Sequence, residues 1–248
     1  MHNLGYAMAL EAYDQVTRRT DHQATFTQLD LEWDQLDDVL GGDYNQAAGL
    51  FASWLPYPAG GRFLEMGSGC GVASVLAALR GCASVTALDI NPAAVRNTAM
   101  NARRHGVADR VRALRSDLFG ALGDDETFDL VYWNSPFIEA PAERPMDSIV
   151  EYHFFDPGYA MHREFFRTVP RHLTDTGRLF FGFSKAMGNA GLLEDLGRQA
   201  GLRCRVHRQE CFAAPPDELG SDPALAGYAD DTGMVQLDFT LLEFDRAR

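Results

Sequence analysis

Arg62-Phe63-Leu64-Glu65-Met66-Gly67-Ser68-Gly69-Cys70-Gly71 decides how the chain folds. A short apolar run leads straight into three glycines at alternate positions. The run reads as a buried strand, and the glycines as a sharp turn at its carboxyl end. Glycine lets the backbone bend there and approach a ligand with no Cβ in the way. The Ala/Leu-rich segment from Val72 to Arg80 then reads as a helix.

The same alternation continues outward. Ser84–Ile90 is β-branched and apolar, a second strand. Asn91-Pro92 opens a helix, with Asn as N-cap and Pro at the first helical position, and Gly106 ends it. Val111–Asp117 and Phe128–Asn134 are the third and fourth strands. A Pro-rich loop covers about 135–157, a helix His162–Leu173, and a fifth strand Gly177–Ser184. A helix over Asn189–Ala200 and strands near 202–209 and 234–243 close the chain, with 211–233 as a long loop between them. Strands alternating with helices imply a parallel sheet covered on both faces. The expected fold is α/β: a seven-stranded, mostly parallel Rossmann-like sheet with an antiparallel edge pair. Residues 1–58 read as a helical N-terminal extension covering the site, because Trp33, Leu36, Val39 and Leu40 recur at helical spacing before Gly41-Gly42. Residues 59–248 form the catalytic domain.

Composition narrows the functions. The 248 residues carry 22 Lys+Arg against 35 Asp+Glu, a net charge of −13. That field repels polyanions, which disfavours nucleic acid as a partner and favours a neutral or cationic small molecule or a peptide. Cys70, Cys82, Cys204 and Cys211 form no CxxC pair and no metal-like spacing with His, so no metal is expected. No apolar run reaches the length of a membrane span, and the N-terminus lacks the pattern of a signal peptide. A cytoplasmic location is the expectation.

The glycine turn and Asp89, 24 residues after Glu65 at the end of the second strand, point to a nucleoside. Ligands of such sheets lie outside the carboxyl ends of the strands, and an acid there can accept both ribose hydroxyls. A dinucleotide fingerprint would need glycine at Val72. Glu65 would also oppose a pyrophosphate, whereas a cofactor with a free ammonium and no phosphate tolerates it. A nucleotide-dependent reductase is disfavoured on both counts.

Over about residues 62–184 this combination resembles the class I S-adenosylmethionine-dependent methyltransferases. The cofactor implied is S-adenosyl-L-methionine. Carried over, the cofactor-binding set is Glu65, Gly67, Ser68, Gly69 and Gly71 around the methionine part. Asp89, with Ile90 and Asn91, serves the ribose, Asp117 and Leu118 the adenine, and Asn134 borders the methyl group. The fourth strand ends in Asn134-Ser135-Pro136-Phe137, similar to the Asn-Pro-Pro-Tyr/Phe motif of the release-factor glutamine and small-methyltransferase-domain subset. In that subset the Asn oxygen and the next carbonyl accept from the target NH₂, and the aromatic ring packs on the target's plane. The resemblance implies an N-methyltransferase acting on a small molecule, peptide or protein. Ser135 departs from the usual Pro, which leaves the target open. An alternative is a small-molecule O-methyltransferase with His153, on the 138–157 loop, as general base. Another is an inactive subunit that keeps the fold.

Overall fold

Chain order and sheet order differ in a way that opens a crevice. The computed structural model describes residues 4–18, 23–42 and 46–247. The strands of the main sheet are β3 (Arg62–Met66), β4 (Ser84–Asp89), β5 (Val111–Arg115), β6 (Phe128–Asn134), β9 (Leu173–Phe183), β10 (Leu202–Ala214) and β11 (Val235–Arg246). They lie in the order β10-β11-β9-β6-β3-β4-β5. β3 pairs in parallel with β4 on one side and β6 on the other. β5 continues beyond β4, and β9 beyond β6, also in parallel. The direction of winding therefore reverses at β3, and ligands of open α/β sheets sit at such a switch point. β11 runs antiparallel to both β9 and β10, which supplies the expected edge pair.

Helices cover both faces. α2 (Gln46–Trp54), α3 (Val72–Leu79) and α4 (Pro92–Arg104) pack on one side, and α5 (Ala160–Thr168) and α6 (Ala190–Gln199) on the other. The period-two alternation of the strands divides the core accordingly. Phe63, Leu130, Tyr132 and Phe180 join the first cluster, while Leu64, Val131, Trp133 and Phe181 join the second. Asn91 caps α4 as its sequence predicts, its side chain accepting from the Ala93 N–H at 2.8 Å. Such a cap stabilises by about 1 kcal/mol.

The N-terminal region departs from the expectation. α1 (Leu4–Arg18) is helical, but β1 (Thr25–Gln28) and β2 (Leu31–Asp34) form an antiparallel hairpin where helix was expected to begin. Trp33 lies within β2, and among the described residues no helix covers Leu36–Leu40. Two physical causes override the periodicity. Leu29 and Asp30 both take positive φ, which makes the tight turn. Asn97 and Asn101 of α4 accept from the backbone N–H groups of Leu36 and Asp34, pinning the chain as it leaves the hairpin. Trp33 is nonetheless fully buried, against Phe26 and His105. Parts of the 1–58 segment (1–3, 19–22 and 43–45) lie outside the described residues.

Two loops also differ. The predicted 211–233 loop begins as strand, because β10 pairs with β11 as far as Ala214↔Val235. It then holds the short α7 (Pro216–Leu219). The segment after β6 contains β7 (Glu139–Ala140) and β8 (Asp156–Pro157), a parallel pair that closes it into a compact lobe.

Candidate active site

A cleft of about 400 Å³ opens at the carboxyl ends of β3, β4, β5 and β6, where the winding reverses. All the residues predicted to hold the cofactor line it: Glu65, Gly67, Ser68, Gly69, Asp89, Ile90, Asn91, Asp117, Leu118 and Asn134, with the exception of Gly71. Gly71 stands one step behind, as N-cap of α3 with φ 81°. A Cβ there would come within 2.8 Å of Thr98 Cγ2, so its glycine serves the packing of α3 on α4. Gly67 and Gly69 also hold positive φ, 64° and 53°, at the surface of the cleft itself.

The acids are already shaped by their neighbours. Asp89 Oδ2 accepts from the Gly69 N–H at 2.9 Å, and Oδ1 from the Asn91 N–H at 2.8 Å. A carboxylate has about four acceptor positions, so two remain, one on each oxygen. That suits a pair of vicinal hydroxyls. Asn91 is more structural than expected. Its carboxamide caps α4 and donates to the Asp38 carbonyl, so its backbone N–H on Asp89 is its share in the site. Glu65 turns toward the start of α3, where Oε2 accepts from Ser74 N at 2.8 Å and Ser74 Oγ at 2.5 Å. Burial pushes its pKa from the ordinary 4.5 to about 8. A cationic ligand in the cleft would favour its charged form. Cys70 lines the cleft as a packing residue, its thiol pushed up to about 12 by burial.

These groups fit S-adenosylmethionine. Glycine backbone borders the cleft beside a buried acid that a cation would compensate. Asp89 retains acceptors for a ribose, and the exposed Asp117 lines the β5 end of the cleft.

The other end of the cleft begins with Asn134, the last residue of β6. It stands opposite Gly182 of β9, and a Cβ on Gly182 would come within 2.8 Å of Asn134 Oδ1. Glycine at 182 thus makes room for this carboxamide. Ser135, Pro136 and Phe137 follow it in the lining of the cleft. The Phe137 ring leans on Phe183, with centroids 5.7 Å apart. The Ser135 carbonyl accepts from the Phe137 N–H at 2.9 Å, so one of its two lone pairs is already used. Tyr159 is fully buried beneath the motif. Its hydroxyl donates to the Phe137 carbonyl and accepts from Asn189 N. Of the neighbouring pair, Phe154 lines the cleft and Phe155 lies in the core.

His153 also lines the cleft. Burial lowers its pKa and raises that of Asp89, while the charge of each opposes the shift of the other. The charge that His153 senses is thus that of Asp89. Two other acids of this lobe serve its own structure. Glu151 closes a capping box and pairs with Arg144 at 2.9 Å, and Glu139 accepts from Asn189. The residues that sequence reasoning missed come from the N-terminal region: Gly5, Met8, Ala9 and Ala12 of α1, and Phe26 and Gln28 of β1, form the facing wall. α1 comes close because Gly5 has no side chain, as a Cβ there would strike the Met187 carbonyl. Among the described residues no group of three or more His, Cys, Asp or Glu is arranged to hold a metal. No helix among them is long and apolar enough to cross a membrane.

The sheet order, the switch-point cleft and its acids define a Rossmann-like α/β protein with a nucleoside site. The chain belongs to the methyltransferase small domain family, whose model matches residues 41–208. It is 34% identical over 152 residues to the ribosomal protein uL3 glutamine methyltransferase of Bradyrhizobium diazoefficiens, covering 58% of this chain and 46% of that protein. It is 37% identical over 144 residues to the release factor glutamine methyltransferase of Cereibacter sphaeroides, covering 54% and 51%. The chain thus matches about half the length of these curated relatives. Among solved structures, the T. thermophilus 16S rRNA N2 G1207 methyltransferase, in complex with AdoMet and guanosine, superposes with a TM-score of 0.55 at 16% identity. The match covers 90% of this chain and 50% of that one.

Proposed function

We propose that this chain is an S-adenosylmethionine-dependent N-methyltransferase that acts on a nitrogen of a small molecule, peptide or protein. The observation that carries this reading is the Asn134 carboxamide, given room by Gly182, in the same cleft as the glycine turn and Asp89. Bound S-adenosylmethionine supplies a methyl group on a cationic sulfur. What remains for the protein is alignment, with reacting atoms about 3–3.5 Å apart, and exclusion of water. Asn134 Oδ1 and the remaining lone pair of the Ser135 carbonyl accept N–H bonds from the target and aim its nitrogen. Phe137 supplies an apolar surface for the target's flank. Gly67 and Gly69 border the methionine part, Asp89 takes the ribose hydroxyls, and Asp117 and Leu118 border the base. The names of the two curated relatives support a glutamine amide as one candidate acceptor. The net charge of −13 favours such a peptide or a cationic small molecule over nucleic acid.

Residues 1–58 act in this reading as the cover of the cleft, with α1 as its wall over the acceptor end. The O-methyl alternative rests on His153, which lines the cleft, although burial lowers its pKa and so its hold on a proton. The Asp89 charge acts against that shift, which favours a place beside Asp89 and over the cofactor instead. Transfer of a tritiated methyl group to panels of amines, amides and phenols tests the reading. Label is expected on nitrogen, with His153→Ala retaining most of the rate. Label on phenol oxygen, lost in His153→Ala, contradicts it. A protein that binds no S-adenosylmethionine is the inactive scaffold instead.

A further inference from the structure

Ser135 stands where the related motif carries proline, and a buried pair lies behind it. The His162 ring bridges two groups, with Nδ1 2.5 Å from Asp156 Oδ2 and Nε2 3.2 Å from Ser135 Oγ. Asp156 and His162 are fully buried and Ser135 is 4% exposed, yet Ser135 lines the cleft. Asp156 also accepts from the backbone N–H groups of Met161 and His162, at 3.0 and 2.9 Å. With three donors converging on it, Asp156 acts as an acceptor-only carboxylate, which assigns the His162 proton to Nδ1. Nε2 then carries a lone pair, and the Ser135 hydroxyl donates to it. The remaining lone pairs of Ser135 Oγ stay available to a partner in the cleft.

Resting on the N-methyltransferase reading, we propose that Ser135, His162 and Asp156 form a proton relay that deprotonates the acceptor, and that this acceptor is an alkylammonium. A carboxamide needs no such relay, since its nitrogen sheds a proton readily once methylated. An alkylammonium has no lone pair until it loses one. One proton passes from the acceptor nitrogen to Ser135 Oγ as the hydroxyl proton passes to His162 Nε2. The nitrogen keeps the electron pair of the broken N–H bond and attacks the methyl carbon with it. The imidazolium is balanced by Asp156, and after product release its proton returns through Ser135 to water in the cleft. The acceptor oxygens at this end, on Asn134, the Ser135 carbonyl and the Ser135 hydroxyl, suit a group with several N–H bonds better than a phenolate. The acidic surface also favours a cation. Ser135 is the catalytic residue here, and His162 and Asp156 are positioning residues that act through it.

The groups facing the His162 ring are Asp156, Ser135, Tyr159 (centroids 4.4 Å), Trp133 (5.1 Å) and Phe181 (5.5 Å). Asp156 and Tyr159 are the titratable members, and burial holds the Tyr159 phenol protonated. The test compares wild type, Ser135→Ala and Ser135→Pro on primary alkylamines and on glutamine-containing peptides. Ser135→Ala is expected to lower kcat on alkylamines by about 10²–10³-fold at pH 7. That loss shrinks as pH approaches the amine's own pKa, while S-adenosylmethionine affinity is unchanged. A merely structural Ser135 would show no such recovery. Wild-type rates and pH profile in both variants, or transfer by wild type to peptides alone, overturn the relay. Nitrogen NMR of the histidine rings in the unliganded protein provides a readout apart from activity. Protonated Nδ1 and bare Nε2 are expected for His162, and a proton on Nε2 overturns the assignment. Failure of wild type to bind S-adenosylmethionine sinks the donor-cleft reading instead, and the NMR result tells the two failures apart.

Discussion

The two ends of the cleft are built in different ways. At one end, Glu65, the glycine turn, Asp89 and Asp117 arrive in chain order on the ends of β3, β4 and β5, and backbone N–H groups hold the buried Asp89 in place. At the other, Asn134 depends on Gly182, the Phe137 carbonyl on Tyr159, and Ser135 on His162. Those partners lie 22 to 48 positions away and belong to β9 or to the start of α5. The first end is thus set by turns on neighbouring parallel strands, and the second by packing against segments 22 to 48 positions further along the chain. Changes at the first should alter cofactor affinity or stability, and changes at the second should alter turnover.

Asn134→Ala gives the largest expected effect. Loss of the aiming oxygen should lower kcat by about 10²–10³-fold, the scale of removing one oriented polar group from a reacting centre. S-adenosylmethionine affinity should stay within about threefold by calorimetry. Equal loss of both in a folded variant would erase the distinction between the ends. Asp89→Ala should do the converse, weakening cofactor binding about a hundredfold by removing charged hydrogen bonds worth roughly 1.5–3 kcal/mol each. Single-turnover rates at saturating cofactor should move far less. Unchanged affinity would remove Asp89 from the site.

Gly71→Ala probes the glycine turn together with the packing of α3 on α4. Positive φ and the approach to Thr98 should together cost about 2 kcal/mol, or ~4–8 °C in melting temperature. An unshifted melting curve contradicts the packing role. The smallest effect is expected for Glu65→Gln, and it depends on pH. Because the folded-state pKa is raised from 4.5 to about 8, the protonated form favours the fold. That contribution is fully present below about pH 4.5 and is lost as pH rises through 8. Glu65→Gln should therefore match wild type near pH 5 and melt a few degrees higher than it near pH 9. Parallel melting curves across this range would mean that Glu65 is charged in the fold.

The same division governs what could be read from sequence. The strands, the glycine turn, the Asn91 cap and the order of the acids were legible because each is a local pattern on consecutive elements. The hairpin at residues 25–34 was not, because the spacing of Trp33, Leu36, Val39 and Leu40 imitates a helix while Asn97 and Asn101 hold that segment from a distant one. That residues 1–58 cover the site was an expectation, but which residues of α1 face the cleft was hidden, since only the approach of Gly5 to Met187 reveals them. Asp156 and His162 were visible as polar residues near a helix start. Their link to Ser135 spans 27 positions and exists only once the lobe has closed. The strand extension to Ala214 likewise came from its partner β11 and not from its own sequence.

Calorimetric titration of the wild-type protein with S-adenosylmethionine and, separately, with NADPH tests the central claim most directly. The account predicts saturable one-to-one binding of S-adenosylmethionine and none of NADPH. Binding of the phosphorylated dinucleotide, or of neither ligand by the folded protein, would contradict it.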